Sequence, residues 1–81
     1  MTVRVLLFGP AAMAVRLDSV GVKLGTRCTC IELARKIGEQ WPDLRMYVRH
    51  GRWAINATFV DESAMIQEND EVALISMVSG G

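Results

Sequence analysis

Apolar residues follow two different periods along this chain, and the change of period divides it into elements. Val3 to Phe8 is rich in branched and aromatic residues. It predicts a first strand ended by Gly9-Pro10. Ala11 to Arg16, with Pro10 at the start, predict a short helical turn. Leu17 to Leu24 then alternates, with Leu17, Ser19 and Gly21 against Asp18, Val20, Val22 and Leu24. That predicts a second strand paired with the first as a hairpin. After it the period becomes helical: Cys30, Leu33, Ala34, Ile37 and Trp41 fall on one face, while Glu32, Arg35, Lys36 and Glu39 fall elsewhere. Thr29 and Glu32 are spaced as a capping box, in which the hydroxyl takes a free N–H and the carboxylate reaches back, so the helix begins near Thr29. Pro42 stops it.

In the second half, Met46 and Val48 within Leu44 to His50 predict a short strand or a loop, broken by Gly51. Trp53 to Val60 predicts a strand pair or one bent strand. Asp61 to Asn69 is a polar connection anchored by Met65 and Ile66, and Asn69-Asp70 marks a turn. Glu71 to Val78 is the last strand, with Val72, Leu74 and Ser76 on one face and Ala73, Ile75 and Met77 on the other. A sheet covered by one helix buries one face, so an apolar second face is either further core or a docking surface. The order strand, strand, helix, strands predicts an α+β fold. In it one main helix packs across a mixed sheet, as in the β-grasp of ubiquitin.

Composition narrows the function. The 81 residues predict a single domain spanning 1–81, with a flexible Gly-Gly tail from about residue 76 to 81. A hydrophobic content of 51% with nine basic and nine acidic residues argues against disorder. The zero net charge argues against a nucleic-acid partner. No apolar run approaches the roughly 18 residues of a membrane span, and Arg4 interrupts the N-terminal run, so a cytoplasmic, membrane-free protein is expected. Cys28 and Cys30 are too close in sequence to pair as a disulfide; Cys30 is expected in the core and Cys28 as a bystander. One Cys-x-Cys with the remote His50 falls short of four tetrahedral ligands, so no metal site is expected. His50, beside Gly51, reads as a surface residue, and Trp41 and Trp53 as core or rim anchors. The acidic residues Asp61-Glu62 and those from Glu68 to Glu71 form either a solvated loop or a surface for a basic partner.

The ending is the distinctive feature. Gly80-Gly81 follows an apolar strand, and by composition a terminal Gly-Gly arises in roughly one chain in 200. Two residues without Cβ can enter a narrow channel and leave a terminal carboxylate unhindered. Such a carboxylate can be activated as an acyl-adenylate and converted to a nucleophilic thiocarboxylate.

Four segments carry a family resemblance: Val3 to Gly9, the helix opening Thr29-Cys30-Ile31-Glu32-Leu33, the stretch Ala54 to Val60, and the ending Asn69-Asp70-Glu71-Val72-Ala73 through Val78-Ser79-Gly80-Gly81. Over essentially the whole chain they resemble the molybdopterin synthase small subunit, a ubiquitin-like sulfur carrier. The resemblance implies that Gly81 is adenylated by a ubiquitin-activating-like adenylyltransferase that consumes ATP, and is then thiocarboxylated by a sulfur donor. The tail, with Val78, Ser79 and Gly80 leading to Gly81, would enter the active site of the large subunit. There it would give sulfur to a pterin precursor in molybdenum cofactor biosynthesis, commonly within a heterotetramer. The chain would not be catalytic alone and would hold no permanent cofactor. The resemblance also implies partner-docking roles for Phe59 and Ile75, joined on the same outward strand face by Met77. Where the family often has Pro-Pro, this chain has Ser76-Met77, so a more flexible tail is expected. Carriers for thiamin, cysteine or tRNA thiolation share the same ending. A protein modifier joined through Gly81 to lysine, or a plain β-grasp binding module, would also fit the chain.

Overall fold

The computed structural model describes residues 1–76, so the expectations placed on Met77, Val78, Ser79, Gly80 and Gly81 lie outside the described residues. Strand β1 (Thr2–Phe8) leads through Gly9 into α1 (Pro10–Val15), and β2 (Ser19–Lys23) returns antiparallel to β1. The predicted pairing is present, joined through α1. Leu17 lies outside the strand and is exposed.

The short strand β3 (Cys28–Thr29) runs directly into α2 (Cys30–Gln40). Both halves of the capping box are made: the Glu32 N–H donates to Thr29 Oγ1 at 3.3 Å and the Thr29 N–H donates to Glu32 Oε1 at 3.4 Å. The next free N–H groups of the first turn, on Cys30 and Ile31, donate to the Ala64 and Glu62 carbonyls at 3.1 and 3.0 Å. Thr29→Ala removes one of these caps and is expected to cost about 1 kcal/mol of stability. A lowered urea midpoint with an unchanged slope is the measurement that checks it.

Leu44 to His50 departs from expectation. Instead of a strand or loop, a 3-10 turn (Pro42–Leu44) passes into a further helix, α3 (Arg45–His50). Leu44 is fully buried and Tyr47 and Val48 are half-buried, a helical three-and-four spacing, whereas Met46 faces out. Pro42 therefore ends one helix and supplies the first residue of the next turn. Gly51 follows because the chain turns tightly there: a Cβ would lie 2.6 Å from the Tyr47 carbonyl oxygen and 2.9 Å from the Leu74 side chain.

Strands β4 (Arg52–Ile55) and β5 (Thr58–Val60) form a hairpin, closed by Asn56 and Ala57, both at positive φ (51° and 66°). The hairpin is tied to the turn before the last strand. Asn56 Nδ2 donates to Asp70 Oδ1 at 3.0 Å, and the Glu71 N–H donates to Asn56 Oδ1 at 2.9 Å. Strand β6 (Met65–Ile66) pairs with β3 as a separate two-stranded ribbon. Ile66 anchors it as expected, but Met65 is exposed. The ribbon also buries Cys28, which is a core residue and not a bystander: its position is set by a strand pairing between segments far apart in sequence.

The last strand, β7 (Val72–Ile75), is shorter than the predicted 71–78. It lies at the centre of a five-stranded mixed sheet of order β2-β1-β7-β4-β5, parallel to β1 and antiparallel to β4. Val3, Val5, Leu7, Val20, Val22, Val72, Leu74 and Trp53 on its inner side join Cys30, Leu33 and Ile37 of α2 in one core. This is the β-grasp arrangement, a mixed sheet crossed by one main helix.

Candidate functional site

Because side chains alternate across each strand, the inner core residues leave a second set facing outward. Register brings that set together. Leu6 lies beside Ala73 and Phe8 beside Ile75 across the β1–β7 pair; Arg52 lies opposite Ile75 and Ala54 opposite Ala73 across β4–β7; and Phe59 lies opposite Ala54 across β4–β5. The result is an apolar strip across the outer face of four strands. Phe8 is 48% exposed at one end and Phe59 54% at the other, with Leu6, Ala73 and Ile75 half-buried between them. Charge borders the strip. The Arg52 guanidinium stacks over the Phe59 ring, 4.3 Å from its centroid, and Arg4 Nε donates to Ser19 Oγ at 3.2 Å.

Phe59 and Ile75, two of the three residues singled out for partner contact, thus lie on one continuous face with Arg52 between them; the third, Met77, lies outside the described residues. Phe59 is openly exposed and Ile75 half-buried. Sequence reading misses Phe8, Leu6, Ala54 and Arg52 in this strip. The alternation within β1 points at Phe8, but its place beside Ile75 is set by a parallel pairing across more than sixty residues.

The strip runs along the strand that leads to the Gly-Gly ending, and that strand ends in an anchor. Ser76 is 7% exposed and lies on the inner face with Val72 and Leu74, as the alternation predicts. Its hydroxyl accepts the Ala11 N–H at 3.1 Å and donates to the Phe8 carbonyl. Of the stretch expected to be flexible, its first residue is therefore fixed; the others lie outside the described residues.

The remaining candidates do not form a second centre. Cys30 is fully buried, and burial pushes its thiol up to about 11, with the Asp61 carboxylate adding to the rise. It is protonated near neutrality and a poor nucleophile. Cys28 donates its S–H to the Gly25 carbonyl at 3.3 Å. His50 closes α3 and is exposed, Trp53 is core and Trp41 sits half-buried at its rim. Among the described residues no cluster of His, Cys, Asp and Glu could hold a metal ion, and no helix is long and apolar enough to cross a membrane.

The acidic stretch divides by role. Asp61 accepts the Ser63 hydroxyl at 2.6 Å and the Ser63 N–H at 2.8 Å, bonds that hold its carboxyl below the usual range. Asp70 accepts the Gln67 N–H at 2.8 Å as well as Asn56. Glu62, Glu68 and Glu71 point to solvent.

Comparisons with known proteins bear on the fold and the family. The chain is 30% identical over 81 residues to the molybdopterin synthase sulfur carrier subunit of Dictyostelium discoideum, which covers 96% of this chain and 94% of that protein. Its fold superimposes on SAMP1 from Haloferax volcanii with a TM-score of 0.83, at 21% identity and full coverage of both chains. It also matches a chain in the complex of subunits 1 and 2 of the molybdopterin-converting factor from Helicobacter pylori, with a TM-score of 0.69, 24% identity and full coverage of both. A family model described as the ThiS family matches residues 5–81, from the second half of β1 through the Gly-Gly ending, and the chain belongs to that family.

Proposed function

We propose that this protein is a sulfur carrier, the small subunit of a molybdopterin synthase, and that its working group is the C-terminal carboxylate of Gly81. The observation that carries the reading is a juxtaposition. An apolar face open to a partner is built on β7, the same strand from which the chain proceeds to Gly80-Gly81. A partner seated on that face lies within a few residues of the terminal carboxylate.

The chemistry divides between this chain and its partners. In the active site of an adenylyltransferase, a carboxylate oxygen of Gly81 attacks the α-phosphorus of ATP. Pyrophosphate leaves and an acyl-adenylate forms. Hydrosulfide, delivered by a sulfur donor, then adds to the activated carbonyl; AMP leaves with the carbon–oxygen bond, a proton is lost, and the thiocarboxylate remains. Its sulfur is the nucleophile used on the pterin precursor in the large subunit. This chain supplies the carried group and the docking face. Its own thiols stay out of the reaction, since both are buried and Cys30 holds its proton well above neutrality. The chain is accordingly not an enzyme by itself. ATP is consumed by the activating partner, and the expected setting is the cytoplasm.

Intact-mass measurement after incubation with the activating enzyme of the same genome, ATP, magnesium and a sulfide source tests the reading. A gain equal to exchange of one oxygen for sulfur, mapped to Gly81, is expected. No gain with a partner set that loads its own known carrier overturns it. Lysine-linked adducts in cell extract point to a protein modifier instead.

A further inference from the structure

A hydroxyl on the buried side of a sheet is costly unless bonded, and Ser76 is bonded twice, to residues 65 and 68 positions away. Both partners belong to the junction between β1 and α1. Three features of that junction fit the serine. Gly9 has φ of 72°, the left-handed region. A Cβ there would stand 2.9 Å from the Ser76 carbonyl oxygen and 3.1 Å from its hydroxyl. Pro10 has no N–H, and Gly9 has no side chain with which to cap α1, so Ala11 carries the helix's first N–H and Ser76 takes it.

We propose that the Ser76 hydroxyl is a positioning group for Gly81, clamping the end of β7 to the β1–α1 junction and so fixing the point from which residues 77–81 depart. The proposal rests on the sulfur-carrier reading. Five residues reach at most about 17 Å, so the place at which their root is held sets what the carboxylate can reach, and a freed root adds conformations that miss the activating site. The side chains of the docking face point from the other side of the sheet, and Arg52, Ala54 and Phe59 of that face take no part in the clamp, so most of the face is kept when the root is freed. The loss therefore falls on the frequency with which a docked carrier presents its carboxylate, an effective-concentration effect. It acts on kcat and spares KM.

The test compares the full-length wild type with Ser76→Ala, Ser76→Thr and Gly9→Ala as substrates of the activating enzyme, following pyrophosphate release from ATP. Hydrogen exchange at the Ala11 amide reports the clamp directly. For Ser76→Ala, kcat is expected to fall about ten-fold, with KM within about two-fold of wild type and faster Ala11 exchange. Ser76→Thr keeps the hydroxyl and restores both readouts. Gly9→Ala crowds the clamp from the opposite side and lowers kcat likewise. If Ser76→Ala does not fold, Ser76→Cys, with its weaker S–H donor, carries the same comparison. Wild-type kcat in a folded Ser76→Ala with fast Ala11 exchange overturns the positioning role. So does an unchanged kcat with KM raised in proportion to the unfolded fraction. A wild-type chain that is never adenylated overturns the sulfur-carrier reading itself, a result distinguishable from either.

Discussion

A chain lacking Gly80 and Gly81 is expected to lose sulfur loading completely while melting at the same temperature as wild type. The two halves of this expectation have separate origins. Stability resides in a core built from residues between Val3 and Leu74, and the capping, hairpin and clamp hydrogen bonds all close within residues 1–76. Gly80 and Gly81 are not among the residues of that core or of those bonds, so the change in stability is expected to stay within about 0.5 kcal/mol. On the proposed reading, loading is lost because the carboxylate to be adenylated is gone and the new terminal carboxylate, on Ser79, carries a side chain and sits two residues short. Gly81→Ala is the finer probe. It keeps the length and adds one methyl group beside the reacting carbonyl, where a misplacement of about 1 Å can cost on the order of 10²-fold in rate. Mass spectrometry of the loaded fraction over time, paired with a thermal melt, reads both. Full loading of the truncated chain, or of Gly81→Ala at the wild-type rate, would show that the glycines are incidental to a binding module.

Local chemistry makes part of this molecule readable from sequence, and the unread parts share a cause. The capping box of Thr29 and Glu32, the alternation of β1 and β2, the apolar face of α2 and the inward set Val72, Leu74 and Ser76 each depend on residues within a turn or two of one another, and each is present. Leu44 to His50 misleads because Met46 and Val48 mimic a strand. The pattern that matters is Leu44 with Tyr47 and Val48, recognisable once Leu44 is known to be buried. Cys28 escapes a sequence reading because its burial comes from pairing with Ile66, thirty-eight positions on. The partners of Ser76 are farther still, and nothing near Ser76 in the chain announces them. Periodicity shows that a residue points inward; it does not show what it meets there. The same limit applies to the outer apolar strip. Its outward residues are visible strand by strand, but their union into one face depends on β7 lying between β1 and β4, a matter of topology.

That topology also bears on why the face and the tail belong together. β7 is central in the sheet and parallel to β1, so both strands end at the same edge, where Phe8, Ile75 and Arg52 meet. The strip is therefore densest in large side chains at the end from which the chain leaves toward Gly81. On the proposed reading, a partner gripping Phe8 and Ile75 would stand beside the end of β7, and one gripping Phe59 would widen that hold across the β4–β5 hairpin.

Phe59→Ala is accordingly expected to weaken binding to the large synthase subunit about 30-fold, the equivalent of about 2 kcal/mol, while changing the fold little. The ring is more than half exposed on an edge strand, so its truncation leaves no cavity in the core. The folded chain loses the stack with Arg52, worth about 0.5–1 kcal/mol at an exposed site, which lowers the melting temperature by a few degrees in a domain of this size. In the proposed complex the same ring would be covered, and a large aromatic anchor is where truncation of an interface costs most. Ile75→Ala should behave differently. Ile75 is half-buried between Phe8 and Arg52, so the substitution removes packing in the free chain as well and divides its cost between folding and binding. Calorimetric titration of each variant against the purified large subunit, with a thermal melt of each variant alone, separates the two. A large fall in melting temperature with unchanged affinity for Phe59→Ala would make that residue a structural one and move the docking face elsewhere. A fall in affinity with the melt nearly unchanged places the partner on the strip, because an exposed ring that hardly contributes to the fold can lower affinity only by leaving the interface.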